Sequence, residues 1–514
     1  MFQGTSSNAG KSLLTAALCR LLSREGLRVA PFKAQNMSLN SFVTADGGEM
    51  GRAQAIQAAA CGLDADVRMN PVLLKPTSDT GSQVIVLGRP VGYMRVKAYF
   101  HYKPQAWKAV CRAYRSLAAE VDVMVLEGAG SPAEINLRQH DIVNMRMARY
   151  AGAKVALVAD IDRGGAFAAL AGTMTLLSRT DRARVAGFVL NKFRGDASLL
   201  DTALQTVSRR TGKPFLGIVP MLDNLCLPEE DSVNFKAGLT PGFCRDSTSV
   251  NTACVDIVVP DLPHISNATD LDSLRAESCV NVRIVRRPEQ WGTPHMVIVP
   301  GSRNTVEDMR WLRTVNLEER IRSFASDCLE KGHGMLIGIC GGLQMLGTQI
   351  DDPLNLESGG LEQALGILPL STQLHATKCL RRTTCIPDVS LVGGIKKVFL
   401  TGYEIHHGVT IMNKTPCRTS ETSLRELLHD TDGRPLGWGQ CDKQGCARIW
   451  GTYLHGLFDT DVFRHELLNT IRREEGLPVM PGHPYTLGSE LDRLADTVAS
   501  ALDMSAIFAL LGLK

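Results

Sequence analysis

The chain contains 514 residues, which predicts two or three domains rather than a single core. Its 56 basic and 53 acidic residues nearly balance and only 5% of the residues are aromatic, so no nucleic-acid-binding surface is expected. No apolar run is long enough to cross a membrane, so no membrane contact is expected. The fourteen cysteines form no C-x-x-C pair, which predicts reduced thiols and a cytoplasmic protein.

The first feature along the chain is the glycine-rich stretch GTSSNAGKS, which begins at Gly4 and leads into the amphipathic sequence KSLLTAALCRLLSREG. Such a loop points backbone N–H groups at a phosphate, while its lysine and serine reach the outer phosphates and Mg²⁺. The spacing from Gly4 to Gly10 is one residue longer than in the usual phosphate-binding loop. Because only Met1 to Gln3 precede the loop, we expect that these residues suffice as its strand or that the intact protein has a few more residues upstream.

Four apolar runs that end in polar residues follow: VDVMVLEGAG, KVALVADIDRGG, VAGFVLNKF and PFLGIVP. Such runs are typical of buried parallel strands, which bind ligands at their carboxyl ends. Glu127 ends the first run and is a candidate metal ligand, as is Asp46 in TADGGEMGRAQ. Asn191 and Lys192 lie where a base-reading loop is expected. Taken alone, each of these residues also fits a capping, turn or solvent-exposed role.

The middle of the chain contains a predicted linker, residues 236–252, which is rich in Gly, Pro, Ser and Thr and has little periodicity. A second series of strand-like runs follows it: VDIVVPDLP, HMVIVPGSRNT, GMLIGICGG, GGIKKVFLTGYEIHHG and ARIWGTYLHG. From Val462 onwards the pattern becomes helical, and its apolar stripe predicts a packing face.

The stretch GMLIGICGGLQMLG places Cys340 between glycines, where a strand gives way to a helix. This is a thiol counterpart of the nucleophile elbow: glycines permit the sharp turn, and the helix N-terminus favours a thiolate. His455, in GTYLHGLFD, is the candidate base. His406 and His407, in GYEIHHG, compete for that role and are interpreted as substrate-side or structural residues.

Together these stretches resemble the cobyric acid synthase family, the glutamine-dependent amidotransferases of the cobalamin pathway. The resemblance covers nearly the whole chain and rests on GTSSNAGKS, KAQNMSLNS, DGGEMGRAQA, MNPVLLKPTSD, EGAGSPAEINL, ADIDRGG, NKFRGD, PGSRNT, GICGGLQMLG, GYEIHHG and GTYLHGLFD. KAQNMSLNS and EGAGSPAEINL separate this family from its relative that makes the a,c-diamide.

The resemblance implies two doubly wound α/β domains, a dethiobiotin synthetase-like P-loop domain followed by a class I glutamine amidotransferase domain of flavodoxin-like fold. We expect the ATP-dependent synthase domain at residues 1–235, the linker at 236–252, the amidotransferase domain at 253–463 and a C-terminal helical extension at 464–514. The family amidates the b, d, e and g carboxylates of adenosylcobyrinic acid a,c-diamide through acyl phosphates. Its partners are small molecules, namely the corrinoid, glutamine and ATP, and cobalt enters only with the substrate. The sequence indicates no oligomeric state.

The resemblance also assigns roles to individual residues. Cys340 and His455 would be catalytic, and the corrinoid would face Glu134, Asn136 and Asp141. ATP would be bound by Thr5, Ser6, Gly10, Lys11, Ser12 and Asn191. Mg²⁺ would be held by Ser12, Asp46 and Glu127. Class I amidotransferases usually carry an acid two residues after the histidine, but this chain has Leu457 there. What orients His455 is therefore left open.

Two alternatives share parts of the pattern. A related amidotransferase would act on another carboxylate, as cobyrinic acid a,c-diamide synthase or in the amidation of a cell-wall lipid. A MinD/ParA-type nucleotide switch would share the P-loop domain but would not need an elbow cysteine. Glutaminase activity that depends on Cys340 therefore separates the switch from the enzymes, and a comparison of acceptors separates the enzymes from one another.

Overall fold

The computed structural model describes residues 1–78, 81–222, 225, 227, 228, 254–388, 391, 398–413, 424–482, 484 and 486–513, so the predicted linker 236–252 lies outside the described residues. The chain divides into two compact units. The first consists of Met1–Ser38, Gly48–Glu230 and Thr486–Lys514, and the second of Leu39–Gly47 and Asp231–Tyr485.

The strands in the amino-terminal part of the chain are β1 (Phe2–Gly4), β2 (Val29–Phe32), β3 (Asn36–Met37), β4 (Ser41–Val43), β5 (Glu49–Gly51), β6 (Val72–Ser78), β7 (Gly81–Val86), β8 (Arg89–Arg95), β9 (Val123–Leu126), β10 (Val155–Asp160), β11 (Val185–Phe193) and β12 (Phe215–Pro220). Those after residue 254 are β13 (Val255–Pro260), β14 (Val280–Val285), β15 (Met296–Val299), β16 (Met335–Ile339), β17 (Gln349–Asp352), β18 (Gly360–Gln363), β19 (Leu370–Pro387), β20 (Leu400–Met412), β21 (Leu424–Asp430), β22 (Pro435–Cys441) and β23 (Ala447–Thr452).

The helices, in chain order, are α1 (Lys11–Arg24), α2 (Arg52–Ala60), α3 (Val96–Ala118), α4 (Met145–Tyr150), α5 (Ala166–Leu176), α6 (Arg179–Arg184), α7 (Asp201–Thr211), α8 (Asp272–Arg275), α9 (Thr305–Thr314), α10 (Leu317–Lys331), α11 (Gly341–Leu346), α12 (Asp461–Glu474), α13 (Leu487–Ala501) and α14 (Met504–Leu511). Among the described residues, none of them combines the length and the apolar composition that a membrane span requires.

The first unit is built on parallel strands, as the apolar runs predict. Strands β1, β10, β11 and β12 pair in that order, and β2 pairs with β9. A parallel bridge between Phe2 and Glu127, just after β9, joins β1 to this pair. The three residues of β1 therefore lie between two longer strands and lead directly into the glycine-rich loop. A separate sheet contains β3, β6, β7 and β8.

The second unit is built on one large mixed sheet with its own apolar core. Strands β14, β13, β15, β16 and β23 run parallel, as expected for a doubly wound domain. The antiparallel strands β22 and β21 extend the sheet beyond β23, and the long strand β19 carries β20 at its side.

The residues after 464 are divided differently from the predicted C-terminal extension. Helix α12 belongs to the second unit, whereas α13 and α14 belong to the first. Helix α13 packs on α1, burying an apolar stripe that includes Leu494 and Val498, and Arg20 pairs with Asp492 at 2.8 Å. The apolar stripe is thus a packing face, as predicted, and it completes the core of the unit that contains the start of the chain.

The tight contact beneath the Cys340 turn makes one prediction. At Gly342 an added Cβ would lie 1.9 Å from the carbonyl oxygen of Val299, so we expect Gly342→Ala to destabilise the second unit by roughly 3 kcal/mol or to prevent its folding. Calorimetric thermal unfolding measures the effect. Gly172→Ala is the control, because this exposed position in α5 has open space and alanine should be neutral or stabilising there by up to about 1 kcal/mol. Equal midpoints for the two variants would contradict the packing argument.

Candidate active sites

Cys340 lies at a strained turn between β16 and α11. Its φ of 52° and ψ of −104° fall in a region that residues with a side chain rarely adopt. Its N–H donates to the carbonyl of Thr452 at 2.7 Å, and the close approach of Gly342 to Val299 leaves room for glycine alone. The predicted elbow conformation is therefore confirmed, and the thiol lies at the carboxyl end of a parallel strand.

His455 follows β23, the strand that pairs with β16, so it lies at the same edge of the sheet as Cys340. Its imidazole is fully buried, and its backbone pairs with Tyr403, whose ring lies 5.3 Å from the imidazole. The side chain of Cys340 acts on this imidazole and helps to raise its pKa, and the sulfur lies 3.6 Å from the carbonyl oxygen of Ile405. The structure thus brings together the two residues predicted to be catalytic.

A carboxylate from a distant part of the chain holds the other side of the imidazole. Asp270 lies in the helical turn Ala268–Leu271, and its carboxylate accepts a hydrogen bond from Nδ1 of His455 at 2.7 Å and one from the N–H of Gly456 at 2.8 Å. Because an ionised carboxylate only accepts, Nδ1 carries a proton and Nε2 remains for the thiol. The amide of Asn267 lies 3.3 Å from Nε2.

Sequence reasoning did not identify Asp270. The residue precedes His455 by 185 positions, and the stretch NATDLD has no spacing that marks it as part of a catalytic site. The one signal was negative: with Leu457 where an acid is usual, the sequence left open what orients His455.

The charge of Asp270 controls the protonation of His455. Burial lowers the pKa of this histidine, but the negative charge of Asp270, the hydrogen bond to it and the side chain of Cys340 act in the opposite direction and together raise the pKa to about 10. The imidazolium is therefore stable at neutral pH. An imidazolium beside a cysteine is the partner that stabilises a nucleophilic thiolate.

The two competing histidines have other partners. His406 stacks on Tyr453 with ring centroids 3.8 Å apart, and its Nε2 lies 3.3 Å from Glu404. His407 bonds the carbonyl of His375 through Nδ1 at 3.0 Å. The hydroxyl of Tyr453 lies 3.3 Å from the amide of Gln344 in α11, one turn after Cys340. His406 thus belongs to the wall of the elbow site, and its substrate-side role stays a prediction.

In the first unit, the glycine-rich loop turns back on itself between β1 and α1. The N–H of Thr5 continues the sheet by donating to Val158, and the ammonium of Lys11 donates to the carbonyl of Ser6 at 2.9 Å. Gly10 has a φ of 94°, which favours glycine. The loop therefore has the conformation that the motif predicts, and its contacts with ATP stay predictions.

Asn191, at the end of β11, supports this loop directly. Its amide donates to the carbonyl of Ala9 at 2.9 Å, and an added Cβ at Gly10 would lie 1.9 Å from the same amide nitrogen. The neighbouring Lys192 has a φ of 62° and pairs with Asp160 at 2.9 Å. A role of Asn191 in base recognition stays a prediction.

Ser12 and Glu127 meet at the carboxyl ends of the strands and fit a Mg²⁺ ion. The hydroxyl of Ser12 and the ammonium of Lys33 each donate to Oε1 of Glu127 at 2.8 Å. The amide of Gln57 donates to Oε2 at 2.7 Å, while its own buried Oε1 has no hydrogen-bond partner among the described residues. Hydroxyl, carboxylate and amide oxygens are the ligands that Mg²⁺ prefers. Sequence reasoning identified neither Lys33 nor Gln57.

Asp46, the other predicted metal ligand, belongs to the segment Leu39–Gly47 of the second unit, where the hydroxyl of Thr44 donates to its carboxylate. Glu127 belongs to the first unit. The pairing of these two carboxylates therefore stays a prediction.

The residues predicted to face the corrinoid lie in the loop that follows β9. Glu134 and Asn136 are exposed, as are the apolar side chains Ile135 (64%) and Leu137 (45%). Asp141 instead caps the start of α4, because its carboxylate accepts hydrogen bonds from the N–H groups of Val143, Asn144 and Arg146. These bonds give Asp141 a structural role, and its contact with substrate stays a prediction.

Both halves of the chain match known protein families. Residues 1–234 match the CobQ/CobB/MinD/ParA nucleotide binding domain, and residues 256–463 match the CobB/CobQ-like glutamine amidotransferase domain, which confirms the predicted fold class. The chain is 54% identical to the cobyric acid synthase of Nitratidesulfovibrio vulgaris, with 100% of the chain and 97% of that protein covered. The proteins of the same name from Moorella thermoacetica and Carboxydothermus hydrogenoformans are 46% and 45% identical, with 100% of the chain and 97% and 99% of those proteins covered.

The hydrogen bond from His455 to Asp270 predicts that glutamine hydrolysis depends on this carboxylate. Asp270→Asn should lower kcat for glutamine hydrolysis by roughly 10²- to 10⁴-fold, because an amide neither fixes the tautomer nor stabilises the imidazolium. The measurement is glutamate release under saturating glutamine.

Asp442→Asn is the matched control for this variant. Asp442 is also buried in the second unit, but it pairs with Arg448 rather than with a candidate catalytic residue. We expect this variant to lose stability and to keep its kcat. Equal losses of kcat in both variants would mean that Asp270 acts only by stabilising the fold.

The raised pKa of His455 also predicts how stability depends on pH. The unfolded histidine loses its proton above pH 6.5, whereas the folded one keeps it to about pH 10, so the folded state binds more protons between these values. The stabilisation from His455 is therefore complete below pH 6.5 and falls by about 1 kcal/mol per pH unit above it. Unfolding of the wild type and of His455→Gln from pH 6 to 9 measures this; a stability difference that does not change with pH would contradict it.

Proposed function

Because the chain belongs to the cobyric acid synthase family, we propose that it amidates the b, d, e and g carboxylates of adenosylcobyrinic acid a,c-diamide, consuming ATP and glutamine at each turn. The match of whole relatives of this name supports this acceptor over the carboxylates of related amidotransferases. The elbow cysteine supports an enzyme over a nucleotide switch, which would not need one.

The observation that carries the proposal is the geometry of the glutaminase site. Cys340 lies on an elbow whose strained backbone places the buried thiol at a strand end; Asp270 holds Nδ1 of His455, and the side chain of Cys340 acts on the same imidazole. A buried carboxylate, imidazole and thiol in this order form a nucleophilic site.

In glutamine hydrolysis, the thiolate of Cys340 attacks the side-chain amide of glutamine. His455 donates the proton from Nε2 to the departing ammonia, while Asp270 stabilises the positive charge on the ring before this transfer. Backbone N–H groups after Cys340 bind the oxyanion. Water then releases glutamate from the thioester, and His455 accepts the proton of that water.

The synthase half activates the acceptor carboxylate. Ammonia does not displace the oxygen of a carboxylate, because that leaving group is poor. Transfer of a phosphoryl group from ATP makes an acyl phosphate, from which ammonia displaces phosphate. Lys11 neutralises the transferred group, and the N–H groups of the loop hold the phosphates at Thr5, Ser6 and Gly10.

A Mg²⁺ ion would be held by Ser12 and Glu127, and when bound it would supply positive charge to the phosphate oxygens. Asn191 holds the phosphate loop through Ala9 and lies where the nucleotide base is expected. Its proposed contact with ATP therefore has two parts, the support of the loop and the recognition of the base.

The loop after β9 suits a large amphipathic substrate. Ile135 and Leu137 expose apolar surface for the face of the corrin ring, whereas Glu134 and Asn136 offer polar groups to its amide and carboxylate arms. Exposed apolar side chains next to polar ones are typical of a binding surface.

Mass spectrometry tests the proposal directly. The wild type, given adenosylcobyrinic acid a,c-diamide, ATP, Mg²⁺ and glutamine, should lower the corrinoid mass in four steps of about 1 mass unit, each replacing OH by NH₂. Cys340→Ala should fail with glutamine and be rescued by ammonium salt, because the synthase half is intact.

The acceptor is tested in the same experiment by offering cobyrinic acid alongside the a,c-diamide. Amidation of cobyrinic acid alone would assign the chain to the related diamide synthase. No mass change with either nitrogen source, although ATP binds, would show that the acceptor is not a corrinoid.

A further inference from the structure

A buried lysine occupies the candidate metal site of the first unit. Lys33 directly follows β2, and Glu127 directly follows β9; these strands are parallel neighbours, so the two side chains meet at the same edge. The ammonium lies 2.8 Å from Oε1 of Glu127, and the exposed fractions of the two side chains are 3% and 0%. A carboxylate buried to this extent needs a positive partner, and Lys33 provides it.

The position of the ammonium coincides with the place where a metal ion is expected. Oε1 of Glu127 accepts hydrogen bonds from the ammonium of Lys33 and from the hydroxyl of Ser12. The carboxylate of Glu127 and the hydroxyl of Ser12 are oxygen ligands of the kind that Mg²⁺ prefers. An ion bound to both oxygens would come within a few ångströms of the ammonium, where two cations repel each other strongly. Lys33 and a bound Mg²⁺ therefore compete for the same carboxylate.

Gln57 holds the carboxylate of Glu127 from its other side. Its amide holds Oε2 of Glu127 at 2.7 Å, away from the oxygen that Lys33 and Ser12 share. The buried Oε1 of Gln57, which has no hydrogen-bond partner in the part of the chain that the structure describes, is available to a further donor such as a water molecule on the ion.

We propose that Lys33 is the counterion of Glu127 in the nucleotide-free protein and that it moves to a phosphate oxygen when Mg²⁺ and ATP bind. The flexible stem and compact charge of lysine suit such a movement. Lys33 would then add a second positive side chain, beside Lys11, to the group being transferred. The proposal rests on the ATP-dependent function proposed above, but it does not depend on the identity of the acceptor.

The test measures metal and nucleotide binding, with no corrinoid present. Without nucleotide, Lys33→Met should bind Mn²⁺, followed by electron paramagnetic resonance, about tenfold or more tightly than the wild type, because the competing charge is gone. The same variant should bind ATP in the presence of Mg²⁺ about tenfold or more weakly, by isothermal titration calorimetry, because a phosphate contact is lost. Opposite shifts for metal and nucleotide are a result that general damage to the site would not produce.

A matched control is available in the same unit. Lys75 pairs with Glu49 at 2.9 Å, and the exposed fractions of these side chains are again 3% and 0%. Lys75→Met therefore breaks a pair of equal burial, and both of its affinities should stay within about twofold of the wild type. If it shifts Mn²⁺ binding as Lys33→Met does, the effect is general and the proposal is wrong.

Folding of the variants is checked separately, by the glutaminase activity of the second unit and by thermal unfolding. If Lys33→Met fails to fold, Lys33→Gln takes its place, because its amide still donates to Glu127 without the charge; the same two shifts are expected. Unchanged Mn²⁺ affinity in a folded, neutral variant overturns the proposal. If both shifts are observed but the wild type forms no corrinoid product in the mass-spectrometric experiment, the proposed acceptor is wrong and the role of Lys33 stands.

Discussion

A carboxylate that is removed from water must be compensated by donors, and each candidate site is organised around one such carboxylate. Asp270 is satisfied by the imidazole of His455 and the N–H of Gly456. Glu127 is satisfied by a hydroxyl, an ammonium and an amide. Because an unpaired buried charge is costly, the donors are held in one arrangement, and the reactive groups among them are positioned as a consequence.

Parallel strands explain why these groups meet. Neighbouring strands that run in the same direction end at the same edge, where their backbone groups are free of the ladder and loops begin. Cys340 and His455 follow β16 and β23, which pair with each other, and Lys33 and Glu127 follow β2 and β9, which do the same. Residues far apart in sequence thus become neighbours through strand order alone.

The features predictable from the sequence were those encoded over a few consecutive residues. The phosphate loop and the elbow at Cys340 were recognisable because glycines at fixed spacing determine their backbones, and the buried strands because of their apolar runs. Asp270 and Gln57 were not recognisable, since their roles come from contacts between segments that are distant in sequence. A carboxylate or an amide in a short turn or helix has no local mark of such a role.

The same limit applies to the end of the chain. Its helical stripe predicted a packing face, but periodicity does not say which surface the stripe covers. In the structure α13 covers α1, more than 450 residues earlier in the chain, where Arg20 and Asp492 also pair. The sequence therefore predicted that the stripe is a packing face, but not that α1 is the helix it covers.

The high pKa of His455 also bears on the form in which ammonia leaves. Free ammonia attacks an acyl phosphate, whereas ammonium has no lone pair to attack with. In the proposed mechanism, the charge of Asp270 and its hydrogen bond keep the imidazolium of His455 available until the carbon–nitrogen bond breaks. The imidazolium then gives its one Nε2 proton to the nitrogen of the breaking amide. The neutral ring has no second proton to give at this point, so the nitrogen leaves as ammonia.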